Sequence, residues 1–331
     1  MRQIKRIGVL TSGGDSPGMN AAIRAVTRTA ILNDISVVGI MAGYQGLLNG
    51  EFNPLTAQSV RGIIQTGGTF LRSARCPEFR TAEGRKKGID NLKKEQIDAL
   101  VVIGGDGTFR GANELSGESD IAIVGIPGTI DNDIYGTEYT VGYDTCLNTI
   151  VSAVDKIRDT ASAHNRIFFV EVMGRESGFV AMNSGLACGA DVILIPEQKN
   201  QLEKTRCFLS ERARQNKSSV IMVAEGVKEG TMAIAEKMKT EFPQFDIRVT
   251  VLGYIQRGGA PSARDRILAS ELGVEAVNAL IAGERAIMIG RLHGKIRYEP
   301  FTTAIKLHKH ADAEFLRVAE SIGTYTPTDE E

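Results

Sequence analysis

A two-domain α/β protein, built as Rossmann-like three-layer α/β/α units on mostly parallel sheets, is the fold class this sequence predicts. Three observations predict it. Short apolar runs alternate with amphipathic segments along the chain. Glycine-rich turns follow two of those runs and open helices. The 331 residues, at roughly 150 per domain, fit two domains, and either half could bury its own core.

The expected strands, in order, are residues 4–11, 36–42, 98–105, 121–127, 166–173, 191–197, 219–226, 248–253 and 286–290. Near-continuous apolar runs of this length suit parallel strands covered on both faces. Residues 18–32 place Met19, Ile23, Val26, Ala30 and Ile31 at a spacing near 3.6, and 143–163 do the same with Leu147, Ile150, Val151, Val154 and Ile157. Both stretches therefore predict helices. Right-handed crossovers put the loops after the strands at one edge of each sheet. TTAIKLHK (302–309) and ADAEFLRVAESIG (311–323) are expected C-terminal helices, and residues 324–331, ending in the acidic TDEE, form an expected flexible tail.

Composition narrows the function classes. Hydrophobic residues at 42% and charged residues at 24% are ordinary for a globular chain. With 39 basic and 40 acidic side chains there is no cationic excess for nucleic acid or anionic membranes. Cys76, Cys146, Cys188 and Cys207 form no CxxC pair, so reduced thiols are expected rather than a zinc site or disulfide framework. The N-terminal run stops at SGGDS with no leader-like segment, and no apolar stretch reaches spanning length. A cytoplasmic enzyme is the expectation.

The turns TSGGDSPGMN (11–20) and VVIGGDGTFRGAN (101–113) carry the chemistry. Glycine allows a sharp turn and a close ligand approach, and the following helix start offers unpaired N–H groups to phosphate. GRLHGKI (290–296) lacks the P-loop spacing and its Ser/Thr. GGDGTFRG holds only a weak dinucleotide pattern, and Asp106 within it would repel a pyrophosphate unless a Mg2+ ion lay between them. Asp131 and Asp133, in IPGTIDNDI (126–134), follow the next expected strand. Neighbouring strand ends lie about 5 Å apart, so the two loops can converge. A metal carboxylate and a second carboxylate acting on a hydroxyl are what phosphoryl transfer needs. Arg175 and Arg257 each stand beside glycine just past a strand, with Arg166 and Arg248 at the starts of the same strands. Guanidinium groups suit a sugar phosphate. Glu225, ending VIMVAEG, could accept from sugar hydroxyls, and Arg24 and Arg28, four residues apart, share a helix face that could hold a second anion.

Together TSGGDSPGMNAAIR (11–24), GGTF and SAR before PEF (67–79), VVIGGDGT (101–108), PGTIDNDI (127–134), RDTASAHNR (158–166), VEVMGR (170–175), VAEG (223–226) and the segment ending IQRGG (251–259) resemble bacterial ATP-dependent 6-phosphofructokinases. The likeness runs in order from about residue 3 to residue 290 and weakens over the last 40. It implies the phosphofructokinase fold and transfer of the ATP γ-phosphoryl to the C1 hydroxyl of fructose 6-phosphate, a step of glycolysis. It makes Asp131 the base and Asp106 the Mg2+ ligand. Asp133, Thr129, Arg175 and Arg75 would lie about the transferring phosphate. Gly14, Tyr44, Arg75, Cys76, Gly105, Asp106, Gly107, Thr108 and Gly111 would line the ATP site. The substrate sugar would meet Thr129, Ile130, Asp131, Met173, Gly174, Arg175, Glu225, Tyr254 and Arg257, with Arg166 and Arg248 from a neighbouring subunit of a homotetramer. The implied domains are 1–141 with 254–305 for ATP, and 142–253 with 306–323 for the sugar.

The sequence departs from the pattern in places. Pyrophosphate-dependent relatives carry an Asp after GGD and a Lys before TIDND, where this chain has Gly107 and Gly128, so ATP is the expected donor. Tyr254 replaces the usual His. At the family's effector site, for ADP or phosphoenolpyruvate, Arg24, Arg28, Arg158 and Arg214 match basic positions and Asp191 stands where a metal-binding Glu is common. Ala57 and Asn216 remove two cations there, so weakened or altered regulation is expected. Rivals are a pyrophosphate-dependent enzyme, an NAD- or lipid-kinase-like enzyme that shares GGDGTF, an inactive nucleotide-binding subunit and a nicotinamide oxidoreductase.

Overall fold

The computed structural model describes residues 4–164, 166–213, 218–307, 309 and 313–324. In chain order its elements begin β1 (Arg6–Thr11), α1 (Met19–Leu32), β2 (Ser36–Ile40), α2 (Gly43–Asn49), β3 (Phe52–Leu55), α3 (Ala82–Lys94), β4 (Ala99–Gly104), α4 (Asp106–Glu118) and β5 (Ala122–Pro127). The middle of the chain forms α5 (Tyr143–His164), β6 (Arg166–Val172), α6 (Phe179–Ala187), β7 (Val192–Leu194), α7 (Gln201–Ala213), β8 (Ser219–Ala224), α8 (Thr231–Glu241) and β9 (Asp246–Val251). A 3₁₀ turn at Gly253–Arg257 then leads to α9 (Ala263–Ala282), β10 (Ile287–Leu292), β11 (Lys295–Pro300), α10 (Phe301–Ala304) and α11 (Ala313–Ser321).

The chain divides into two compact units. The first comprises Met1–Ile130, Ile134–Thr145 and Arg257–Lys309, and the second Asp131–Asp133, Cys146–Gln256 and His310–Glu331. In the first, a seven-stranded sheet runs β11-β10-β5-β4-β1-β2-β3 among the described residues. Its five central strands are parallel, and β3 and β11 close the edges antiparallel. β4 explains why its sequence shows no alternation: Ala99, Val101 and Ile103 enter one core with α1 and α9, while Leu100 and Val102 enter the other with α2, α3 and α4. Fully burying side chains of this size is worth about 1.5–3 kcal/mol each, so both faces must be covered.

In the second unit a parallel sheet runs β7-β8-β6-β9. β8 is buried throughout and β6 along most of its length, whereas edge strand β9 is half open. Every strand anticipated from the sequence is present with ends shifted by a few residues. The two edge strands β3 and β11 were not anticipated: β3 is four residues long and contains Pro54, which only an edge tolerates. Of the helix expected over 302–309, the described residues form a helix only over Phe301–Ala304, followed by a turn in which Lys306 N donates to Thr303 O at 3.1 Å, and His308 lies outside them. No described helix is long and apolar enough to cross a membrane.

Candidate active site

In the first unit the turns after β1, β4 and β5 interlock through backbone and short side chains. Ser12 N donates to Ile103 O at 3.0 Å, and Gly128 N to Gly104 O at 3.0 Å. Thr108 Oγ1 donates to Ser12 O at 3.0 Å, which pins the start of α4 to the first turn. Gly104 has to be glycine: a Cβ there would lie 2.4 Å from Ser12 O and 2.3 Å from Thr108 Oγ1. A Cβ at Gly105 would touch Thr129 at 3.5 Å, so the GGDG turn and the loop after β5 are neighbours. Thr129 is held in turn by Thr140, whose hydroxyl donates to its carbonyl at 2.6 Å.

A further loop docks on the same edge. Thr11 Oγ1 donates to Arg72 O at 2.8 Å and Ser73 Oγ to Gly13 O at 2.6 Å. Buried Asn20 fixes the base of that loop, donating to Thr66 and Gly67 and accepting from Phe70 N. Arg75 and Cys76 follow, the arginine exposed and the thiol half-buried at the start of the 3₁₀ turn Pro77–Arg80.

The expected ATP-site residues thus gather around one sheet edge, with two refinements. Tyr44 is 5% exposed, stacks on Phe79 at 4.0 Å, and donates its hydroxyl to Thr108 O at 2.7 Å. Burial pushes its phenol well above the ordinary value. It braces the turn from the core side, and Gly111 is small enough to admit its ring, since a Cβ there would stand 3.0 Å from it. Gly14 lies against the Arg257 guanidinium, a Cβ at 3.3 Å from Cζ, so residues assigned to different substrates are adjacent. A Cβ added at Gly107 would meet nothing within 4 Å, so the outer face of the turn is open there.

Asp106, the first residue of α4, is half-exposed, and its Oδ2 accepts from Arg110 Nε one turn on at 2.7 Å. A single carboxylate here fits Mg2+, which takes one or two protein carboxylates and completes its shell with phosphate oxygens and water. Among the described residues no cluster of three or more acidic, His or Cys side chains offers an all-protein metal cage.

In the second unit Asp131 is 3% exposed, and Arg175 Nε lies 3.4 Å from its Oδ2. Asn132 adopts φ 53 and is buried, which turns the chain so that Asp131 and Asp133 are not equivalent: Asp133 is only half-buried. Arg175 also has φ 53, a left-handed conformation costing on the order of 1 kcal/mol for a residue with a side chain. Two neighbours hold it there. Glu225 Oε1 accepts from Arg175 N at 2.8 Å and from Gly174 N at 3.2 Å. Gly226 packs beneath, where a Cβ would fall 2.0 Å from Arg175 O. One oxygen of Glu225, expected to face sugar hydroxyls, therefore organises the arginine loop.

Arg166 and Arg248 come together on a residue the sequence reading missed. Asp246 Oδ2 accepts from Arg166 Nε at 2.6 Å, and Arg248 Nε lies 2.8 Å from its Oδ1. Hydrogen bonding from Arg166 lowers its pKa below the ordinary carboxylate value. The signal was the parallel register that sets Arg166 opposite Asp246, which a lone sequence does not display. Tyr254 is 79% exposed on its 3₁₀ turn.

The effector candidates fare differently. Arg158 donates to the carbonyls of Cys188 at 2.9 Å and Gly189 at 2.7 Å. Asp191 accepts from Val220 N at 2.9 Å and is ion-paired to Arg212, so a side-chain cation already faces the carboxylate proposed for a metal. Arg24 and Arg28 are half-buried on α1. Arg214 lies outside the described residues.

A phosphofructokinase family model matches residues 6–280. The chain belongs to the phosphofructokinase family. A Bacteroides thetaiotaomicron protein named ATP-dependent 6-phosphofructokinase 2 is 53% identical over 97% of this chain and 99% of its own length. A Thermus thermophilus protein named ATP-dependent 6-phosphofructokinase 1 is 50% identical over 96% and 99%. Among solved structures, phosphofructokinase from Saccharomyces cerevisiae superposes with a TM-score of 0.84 at 37% identity. That match covers 97% of this chain and 47% of the yeast chain, so this chain spans about half the yeast chain's length.

Proposed function

We propose that this chain is an ATP-dependent 6-phosphofructokinase, transferring the γ-phosphoryl of ATP to the C1 hydroxyl of fructose 6-phosphate and releasing ADP. The observation that carries the reading is the GGDG turn seated beside Thr129, with Gly107 opening on free space. A polyphosphate chain needs that room, and an Asp side chain at 107 would fill it with like charge. The near-full-length relatives carry ATP in their names, which favours ATP over pyrophosphate.

Phosphates of ATP are taken by Gly14, Gly105, Gly107 and Thr108, with Arg75 and Cys76 beyond them, over the base that Tyr44 and Gly111 build. The positive start of α4 adds attraction for the phosphates. Asp106 would hold Mg2+, which would supply charge neutralisation on the transferring group. Arg110, which pairs with Asp106 in this structure, would compete with the ion for that carboxylate.

Asp131 accepts the proton of the C1 hydroxyl as that oxygen bonds to the γ-phosphorus and the bond to ADP breaks. Its burial shields it from water, and Arg175, with Nε 3.4 Å from its Oδ2, steadies the transferring group together with Thr129 and Asp133. Met173, Gly174, Ile130, Glu225, Tyr254 and Arg257 hold the sugar phosphate. Arg166 and Arg248, oriented by Asp246, act on the substrate of a neighbouring subunit in a homotetramer. The first unit with its return segment is the ATP domain, the second the sugar domain, and the enzyme works in the cytoplasm.

The test is a coupled assay of ADP release with fructose 6-phosphate, with pyrophosphate as an alternative donor. ATP-dependent turnover is expected. Turnover with pyrophosphate alone would reassign the donor, and none with either would overturn the reading.

A further inference from the structure

Gln256 is the last residue of the second unit before the chain returns to the first, and it is completely buried. Its two amide ends do different things. Oε1 accepts from Met173 N at 3.1 Å, and Nε2 donates to Gly253 O at 2.9 Å. The side chain therefore ties the 3₁₀ turn Gly253–Arg257 to the loop that follows β6. Tyr254 lies within the turn it closes, Arg257 is the next residue, and Met173 opens the loop carrying Gly174 and Arg175.

We infer that Gln256 is a positioning residue for the sugar phosphate: it sets the spacing between the Tyr254 turn and the Met173–Arg175 loop. The inference rests on the functional reading above. The amide is suited to the task because a single group must accept at one end and donate at the other. Leucine has nearly the same shape and can do neither. Glutamate can accept from Met173 N but turns an oxygen toward the Gly253 carbonyl. Asn is one methylene short of spanning both. Glu225 and Gly226 hold the far side of the same loop, so Gln256 governs its near end rather than its existence. Both ends of its amide are committed to backbone partners, which distinguishes it from the arginines it arranges.

The experiment compares wild type with Gln256→Leu and Gln256→Glu in two readouts. In steady-state kinetics the KM for fructose 6-phosphate is expected to rise about tenfold or more in both variants, while that for ATP stays within about twofold. In native-state hydrogen exchange the Met173 amide is expected to exchange faster in Gln256→Leu, and closer to wild type in Gln256→Glu, which keeps its acceptor. Equal rises in both KM values, or unchanged kinetics with only a lower Tm, would overturn the inference. So would failure of both variants to fold, which would make Gln256 a residue of the fold alone. An inactive wild type that still showed the exchange pattern would instead count against the functional reading and leave the loop-spacing role standing.

Discussion

At the scale of single residues, the division of labour follows from burial. Asp131 is 3% exposed with Arg175 beside it, while Asp133, two residues on, is only half-buried. Replacing Asp131 by Ser should lower kcat by about 10²–10⁴, the usual worth of a positioned base, while the dissociation constant for fructose 6-phosphate measured by calorimetry stays near wild type. Loss of binding with turnover spared at saturation would make Asp131 a binding group instead. Gly107 gives a complementary test. A Cβ there meets nothing within 4 Å and the position lies in the first turn of α4, so Gly107→Asp should not lower Tm. A carboxylate about 4 Å from a phosphate oxygen costs about 1 kcal/mol in bulk water and about 4 kcal/mol at the dielectric of a protein surface. The KM for ATP should therefore rise by about tenfold or more, since about 1.4 kcal/mol is a factor of ten.

At the scale of elements, the glycine-rich turn after β4 opens α4, whose far end has an electrostatic anchor. Arg85 of α3 meets Glu118 at the end of α4 with two bonds, Nε to Oε2 at 2.9 Å and Nη2 to Oε1 at 2.6 Å. The hydrogen bond from Arg85 lowers the Glu118 pKa below its ordinary 4.5. A depressed carboxylate pKa contributes stability that is present above the unfolded value and lost as pH falls through the folded one. Glu118→Gln should accordingly lower Tm at pH 7, and the gap to wild type should close as the pH drops below about 4.5. A gap independent of pH would assign the effect to packing. Because Glu118 is a third exposed, solvent screening keeps the effect modest.

For the molecule as a whole, regulation is expected to differ from the pattern the chain resembles. Ala57 and Asn216 remove two cations at the expected effector positions, and Arg212 neutralises Asp191. Activation by ADP at subsaturating fructose 6-phosphate should be weak or absent. Strong activation of the purified enzyme would contradict this. Binding of the first substrate should otherwise stabilise the fold by ordinary mass action.

The amino-acid order alone determined the alternation of strands and helices, because strands buried on both faces must be apolar throughout and their turns must be glycine-rich. It also carries the proposed chemistry, through acids and arginines placed directly after those strands. Pairings that depend on register or on chain segments far apart were decided only in three dimensions. Asp246 between Arg166 and Arg248, Gln256 between Gly253 and Met173, and the burial of Tyr44 against Thr108 are of that kind. So are edge strands β3 and β11, whose partners rather than their composition make them strands. The physical reason is one of range: backbone conformation answers to near neighbours in the chain, whereas a polar side chain answers to whichever donor or acceptor folding brings within about 3 Å of it.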